Sequence, residues 1–267
     1  MKNIYLANMK IDQNKVLKYA EYLHDFCHQY IKKNKLNGVV IGLSGGIDSS
    51  TSLAILAKKK DIKITGVFID INSSKQAKKN VNMLAKKYQF KYLSFNLTSI
   101  YQNIVKTLKL KNHLAKINLK VRLRTLTLYA LASQNKQLVI GNSNYDEIVT
   151  GFFTKFGDNA CDIALLSRLV KHQVKMIAKA YGVPKVINDQ APSAGLYVGQ
   201  TDEKELHSTY KAIDQYLLYN SKISKSDYKN ISKLIKINHH KNIAPLKPLG
   251  LSNLRHLKCK KYKFNNK

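Results

Sequence analysis

Apolar residues near the start of the chain recur at helical spacing. Val16, Leu17, Ala20, Leu23, Cys27, Tyr30 and Ile31 fall on one side of a helix predicted over residues 12 to 33, and Asn37-Gly38 breaks the pattern. The period then changes. Val39-Val40-Ile41-Gly42-Leu43 is a continuous apolar run, as expected of a parallel strand buried on both faces, and it stops at Ser44-Gly45-Gly46. A helix over 48 to 60, a strand over 62 to 70, a helix over 75 to 88 and a strand over 91 to 95 follow. Strand, turn and helix alternating through short connections predict crossover units and an α/β fold: a doubly wound, Rossmann-like parallel sheet with helices on both faces.

Further on, 116 to 134 is amphipathic and helical, and Gln137-Leu138-Val139-Ile140-Gly141 reads as another buried strand. A helix over 168 to 181 is closed by Gly182 and Pro184, residues suited to the end of a helix. Residues 185 to 204, rich in Pro, Gly and Ser, predict a long loop, followed by helices near 205 to 219 and 226 to 236 and a lysine-rich tail from about 245 to 267. No repeat and no linker divides the chain, so residues 1 to 267 are expected to form a single domain.

Composition narrows the setting. An apolar fraction of 44% over 267 residues can build a substantial core, and no apolar run approaches the ~18 residues of a membrane span. Cys27, Cys161 and Cys259 are odd in number and far apart, which suits reduced thiols in a cytoplasmic protein with no membrane association. The net charge of +30 invites a nucleic-acid reading, but only four of the 46 basic residues are Arg: Arg122, Arg124, Arg168 and Arg255. Lysine runs mixed with Asn and Ile point to compositional bias, so no dedicated nucleic-acid partner is expected. His24, Cys27 and His28 share a helical face but lack a fourth ligand, and read as packing residues rather than a metal site.

The chemistry concentrates in Gly42-Leu43-Ser44-Gly45-Gly46-Ile47-Asp48-Ser49-Ser50, between a buried strand and a helix. Backbone N–H groups and the helix dipole converge on an anion in such a turn, and adjacent glycines let it approach the main chain. The Gly-Lys-Ser/Thr of the Walker loop is missing, and so is G-x-G-x-x-G. A carboxylate in an anion-binding turn, Asp48, makes sense chiefly as a ligand for a metal bridging protein and phosphate.

This S-G-G-x-D-S turn resembles the signature of the PP-loop ATP pyrophosphatases, of the adenine nucleotide alpha hydrolase-like fold, which cleave ATP between the α- and β-phosphates to adenylylate a substrate. The second half of the chain sharpens the resemblance. Residues 118 to 134 with Leu138-Val139-Ile140-Gly141, the block from Glu147 through Gly151-Phe152-Phe153-Thr154-Lys155-Phe156-Gly157-Asp158, and then Asp162, Lys171, Ala191 to Leu196 and Gly199 to Glu203 are similar, in order, to the ammonia-dependent NAD synthetase family. The match runs from about residue 10 to 245.

That resemblance implies roles residue by residue. ATP would lie on Gly42, Leu43, Ser44, Gly45, Gly46, Ile47, Asp48 and Ser49, with Asn142, Lys171 and Ser193. Mg²⁺ would be held by Asp48 and Glu147, and Asp48, Glu147 and Lys171 would form the catalytic set. Arg122, Lys155, Asp162, His240 and Lys241 would bind nicotinate adenine dinucleotide (deamido-NAD). The implied reaction is amidation of deamido-NAD with ammonia, through an acyl-adenylate, giving NAD, AMP and pyrophosphate, in a homodimer. The alternative is a tRNA-modifying PP-loop enzyme. Two departures stand out: Asn142 replaces a usual Thr, and Glu205-Leu206 is followed by His207 where the family reads Gly, which would alter the local backbone if that Gly served close packing. The 41 residues before the PP-loop are too few for the amidase domain of glutamine-using relatives, so free ammonia is the expected nitrogen source.

Overall fold

The computed structural model describes residues 12–190, 201–219 and 223–247. Helix α1 (Gln13–Lys33) is started by Asp12, whose carboxylate accepts from the Asn14 amide at 3.0 Å. Its buried stripe of Val16, Ala20, Leu23, His24, Cys27 and Ile31 faces the core. His24 sits between the carboxylates of Asp25 and Asp61, and among the described residues no group of three or more His, Cys, Asp or Glu is arranged to hold a metal. His24 and Cys27 are buried in this face, while His28 is partly exposed beside Asp61. Gly38 then takes φ +128°, where an added Cβ would meet the Lys63 carbonyl oxygen at 2.1 Å, so glycine is required for the entry into the sheet.

Strand β1 (Val39–Gly42) is the middle of a five-stranded, all-parallel sheet of order β3-β2-β1-β4-β5. The others are β2 (Ile64–Asp70), β3 (Lys91–Asn96), β4 (Leu138–Gly141) and β5 (Ile163–Ala164). Strand alternation divides the core into two layers. Val39, Ile41, Ile64, Phe68, Leu138 and Ile140 point to one face, under α1, α2 (Ile47–Leu56) and the helix α7 (Lys171–Ala180). Val40, Val67, Ile69 and Val139 point to the other, under α4 (Thr98–Thr107) and α5 (His113–Asn135). Both faces are covered, which is why the strands read as unbroken apolar runs. Truncating a fully buried residue such as Ile41 to Ala is expected to cost about 2–5 kcal/mol.

The remaining helices are α3 (Lys75–Tyr88), α6 (Tyr145–Thr150), α8 (Lys185–Asn188), α9 (Asp202–Leu206), α10 (Tyr210–Tyr219) and α11 (Lys225–Asn242). Leu206, Tyr210, Ala212, Ile213 and Ile231 form a third, smaller core that joins α9, α10 and α11. Topology positions the site. The chain winds outward from β1 to β2 and β3, then returns to the other side of β1 for β4 and β5, so the connections after β1 and β4 diverge and open a crevice at the carboxyl ends of these strands.

Several elements differ from the sequence expectation. Helix α4 was not anticipated, although Ile100, Tyr101, Ile104 and Val105 carry helical spacing. The loop expected over 185 to 204 contains α8 and the start of α9, and the helix expected over 205 to 219 is two helices. They part at His207, which adopts φ 49° and ψ 29° as the cap of α9. His207 thus stands at a left-handed backbone position, which a glycine adopts without strain.

A left-handed residue other than glycine carries about 1–2 kcal/mol of strain, partly offset by the greater unfolded-state freedom of glycine. The His207 side chain is exposed, so His207→Gly is expected to stabilise the protein by roughly 0.5–1 kcal/mol, read as a Tm rise of about 2 °C. A lowered Tm would refute the strain argument.

Candidate active site

The turn after β1 is built from short hydrogen bonds within one segment. Ser44 Oγ lies 3.1 Å from Ser49 Oγ and accepts from the Gly46 amide at 3.2 Å, while Ser50 Oγ donates to the Gly46 carbonyl at 2.7 Å. Gly45 takes φ +78°, and a Cβ there would lie 2.6 Å from the Ala77 carbonyl oxygen on α3. Asn80, buried on α3, clamps this turn by donating to the Gly45 carbonyl at 2.9 Å. The first amides of α2 thus stand at the mouth of the crevice with the positive end of the helix dipole behind them, an anion site by construction.

Next to this turn is a buried ion pair. Lys171, the first residue of α7 and 2% exposed, donates its ammonium to Asp48 Oδ2 at 2.6 Å and lies 3.8 Å from Glu147 Oε1. Burial opposes the charge, but Asp48 and Glu147 outweigh it and the Lys171 pKa is raised. Burial, and then the negative charge of Asp48, hold the Glu147 carboxyl well above its ordinary range, against the opposing pull of Lys171. The Lys171 ammonium also lies 4.6 Å above the ring of Tyr210, whose single hydroxyl proton is shared between Asp202 Oδ2, the nearer acceptor at 3.0 Å, and Glu147 Oε1 at 3.4 Å.

Asn144 ties the two carboxylates into one frame. Its Nδ2 donates to Asp48 Oδ1 at 3.1 Å, its Oδ1 caps α6 by accepting from the Glu147 amide at 3.0 Å, and its own amide donates to Glu147 Oε2 at 3.3 Å. Asp48 and Glu147, from the PP turn and from the loop after β4, are therefore brought to one point. Two convergent carboxylates beside an anion-binding turn fit a divalent cation shared between protein and phosphate, because Mg²⁺ is commonly bound through one or two carboxylates plus phosphate oxygens.

Helix α7 is anchored in an unusual way for its sequence, since Val170 at its start has no capping side chain. Carboxylates from neighbouring helices do this instead: Asp146 Oδ2 accepts from the Lys171 amide at 2.6 Å and Asp214 Oδ2 from the His172 amide at 3.1 Å. The remaining oxygens of the two carboxyls, Asp146 Oδ1 and Asp214 Oδ1, are buried with no hydrogen-bond partner among the described residues. Burial, and then the charge of Asp214, push Asp146 up to about 9, while burial pushes Asp214 up to about 6, so the pair retains a proton at neutral pH.

The sequence-derived set divides in the structure. Gly42 through Ser49, Glu147 and Lys171 gather in the crevice, joined by Asn142, whose Nδ2 donates to the Gly42 carbonyl at 2.9 Å and whose Oδ1 is buried with no hydrogen-bond partner among the described residues. Ser193 lies outside the described residues. Arg122, Lys155, His240 and Lys241 form a cluster around the segment after α6, through bonds to main-chain carbonyls. Arg122 donates to the Lys155 carbonyl at 3.0 Å, Lys155 to the His240 carbonyl at 2.6 Å, and Lys241 to the Gly151 and Phe153 carbonyls at 2.7 and 3.0 Å. Asp162 is held elsewhere, at β4, where it accepts from the Val139 amide at 2.7 Å.

Sequence reasoning missed Asn80, Asn144, Asp146, Tyr210 and Asp214. Asn144 was discoverable, because Asn-x-x-Glu is a capping-box spacing. Asn80 and the Asp146/Asp214 pair act across long sequence separations and carry no local signal.

Comparison with known proteins gives a consistent result. The family model described as NAD synthase matches residues 19–245. The chain is 39% identical to the NH(3)-dependent NAD(+) synthetase of Mycoplasma genitalium, over 90% of this chain and 98% of that one. The solved NMN synthetase of Francisella tularensis superposes with a TM-score of 0.83 at 34% identity, covering 87% of this chain and 98% of its own. The NH3-dependent NAD synthetase of Campylobacter jejuni shares the fold, with a TM-score of 0.73 at 24% identity over 90% of this chain and 100% of its own.

The raised carboxyl of Asp146 sets a pH dependence. Unfolded aspartate loses its proton near 4, whereas native Asp146 keeps it to about 9, so the native state binds more protons across this window and stability falls as pH rises. Tm is expected to decline from pH 6 to 9. Asp146→Asn keeps the acceptor for the Lys171 amide without needing a proton, and should flatten that decline; an unaltered slope would contradict the assignment.

Proposed function

The chain belongs to the NAD synthase family, and on that premise we propose that it amidates the carboxylate of deamido-NAD with ammonia at the expense of ATP, giving NAD, AMP and pyrophosphate. The observation that carries the reading is the buried Lys171 joined to Asp48 of the PP turn beside Glu147, at the crevice between β1 and β4. A tRNA-modifying activity is not favoured by relatives that match nearly the full chain as NAD synthetases.

A free carboxylate resists nucleophiles, so it must first attack the α-phosphate of ATP, expelling pyrophosphate and forming an acyl-adenylate. Ammonia then adds to the acyl carbon, AMP departs and a proton is released. In our reading the amides of the turn and the Lys171 ammonium hold the phosphates, fix the α-phosphate in line and stabilise charge on the leaving oxygens. The unpartnered Asn142 Oδ1 accepts a hydrogen bond from ATP, which suits an amide standing where relatives have a hydroxyl. Mg²⁺, held by Asp48 and Glu147, supplies further charge neutralisation on the pyrophosphate when bound. Arg122, Lys155, His240 and Lys241 shape and charge the dinucleotide side, Asp162 contributes to it from its separate place beside β4, and Ser193 contacts ATP.

We also propose one domain, a homodimer and a cytoplasmic setting. Exposed Leu114 and Leu126 on α5 supply apolar surface for a second copy. The free thiols Cys27 and Cys161 suit a reducing compartment, and no helix among the described residues is long and apolar enough to cross a membrane. The 34% identity to a protein named as an NMN synthetase favours a second reading of the acid, nicotinate mononucleotide in place of deamido-NAD.

The test is incubation with ATP, Mg²⁺, ammonium and either acid. AMP and pyrophosphate should appear one for one with amide product, and the ratio of kcat/KM for the two acids identifies the substrate; ADP and orthophosphate as primary products would remove the mechanism. Glu147→Gln should lower kcat by about 10²–10³ with folding intact, and near-normal turnover at saturating Mg²⁺ would dismiss it as a ligand. Nitrogen should enter from ¹⁵N-ammonium and not from ¹⁵N-amide glutamine. Cys27 gives no thiolate for glutamine attack, since burial pushes it up to about 12; efficient label transfer from glutamine would overturn this.

A further inference from the structure

Beyond the metal and nucleotide ligands stands Tyr210, the first residue of α10, 5% exposed and separated in sequence from every residue of the PP turn. Its ring covers the Lys171 ammonium at 4.6 Å, and its hydroxyl reaches two carboxylates, Asp202 at 3.0 Å and Glu147 at 3.4 Å. Around Lys171 the carboxylates are treated unequally. Asp48 is in direct contact at 2.6 Å, but Glu147 stays at 3.8 Å, beyond hydrogen-bond reach. Both Glu147 oxygens have another donor: Oε2 the Asn144 amide at 3.3 Å, and Oε1 the Tyr210 hydroxyl at 3.4 Å, a proton shared with Asp202. The Asn144 bond belongs to the cap of α6 and fixes where the side chain starts.

We propose that Tyr210 is a positioning residue that restrains the Glu147 carboxylate from collapsing into a full ion pair with Lys171, and so keeps it available to the divalent cation that accompanies ATP. Without the hydroxyl, Glu147 needs to move only about 1 Å to reach charge-assisted hydrogen-bond distance from Lys171. Lysine then competes with the cation for the same oxygen. The ring acts separately: its face stabilises the Lys171 charge and fills the small core with Leu206 and Ile213, and phenylalanine retains both contributions.

The inference rests on the reading of Glu147 as a cation ligand, and the experiment separates the two. Mn²⁺ binding is followed by electron paramagnetic resonance with the full chain and α,β-methylene-ATP, which cannot be cleaved between those phosphates, for wild type, Tyr210→Phe and Glu147→Gln. Thermal melts accompany each variant, and Tyr210→Phe should melt close to wild type. In turnover, Tyr210→Phe should raise the Mg²⁺ concentration for half-maximal rate about tenfold, as loss of a hydrogen bond to a charged group implies, with kcat recovering to within a few-fold at saturating Mg²⁺. Mn²⁺ affinity should fall in parallel. Weakened Mn²⁺ binding in Glu147→Gln with wild-type binding in Tyr210→Phe would overturn the role of Tyr210 alone. Wild-type binding in both would overturn the ligand reading and the proposal together. A kcat loss in Tyr210→Phe that no Mg²⁺ concentration relieves would also overturn it, because restraint of a cation ligand predicts rescue by the cation.

Discussion

A single ammonium buried at the carboxyl ends of the central strands of a parallel sheet constrains everything around it. Lys171 is 2% exposed, and a charge so far from water is tolerated only with close partners of opposite sign. The Asp48 carboxylate comes from the turn after β1, Glu147 from α6 after β4, and the ring of Tyr210 from α10. Three separate stretches of chain must therefore dock before the charge is stable. Removing one partner from a buried pair typically costs about 3–5 kcal/mol, more than the pair gains over an apolar substitute, so its presence is better explained by function than by stability.

The sheet provides the place where this can happen. β1 and β4 are adjacent, parallel and followed by connections that diverge to opposite sides, so the two carboxylates approach one crevice without crossing the chain. Asn142 and Asn144 link the two connections directly, through the Gly42 carbonyl and the Asp48 carboxylate. The anion-binding amides, a cation and two convergent acids are brought together in one crevice. Such a constellation suits leaving-group stabilisation on a polyphosphate. The proposed chemistry asks for no side-chain nucleophile: the substrate carboxylate is itself the attacking group.

Much of this was legible in residue order. Unbroken runs such as Val39 to Leu43 and Leu138 to Gly141 announce strands covered on both faces, and the two glycines before Asp48 announce an anion turn, because in each case local chemistry has one good structural solution. Lys171 was legible only by resemblance: in a chain this rich in lysine, nothing local distinguishes a buried ammonium from a solvated one. Asp146 and Asp214 were invisible for a related reason. Their common role as acceptors for the first amides of α7 exists only once α6 and α10 meet there. His207 shows the converse, a residue that looked like a disturbance yet occupies the left-handed position that glycine would take. Arg122, Lys155 and Lys241 were read as substrate contacts, and here their cationic groups are hydrogen-bonded to main-chain carbonyls around the segment after α6.

The central claim is that the substrate carboxylate attacks the α-phosphate and that AMP leaves carrying one of its oxygens. Deamido-NAD labelled with ¹⁸O in the carboxylate, turned over with ATP, Mg²⁺ and ammonium and followed by ³¹P NMR or mass spectrometry, tests this directly. One ¹⁸O atom should appear in the phosphate of AMP for each NAD formed, with none in pyrophosphate. Label in pyrophosphate or orthophosphate, or AMP without label at full conversion, would contradict it.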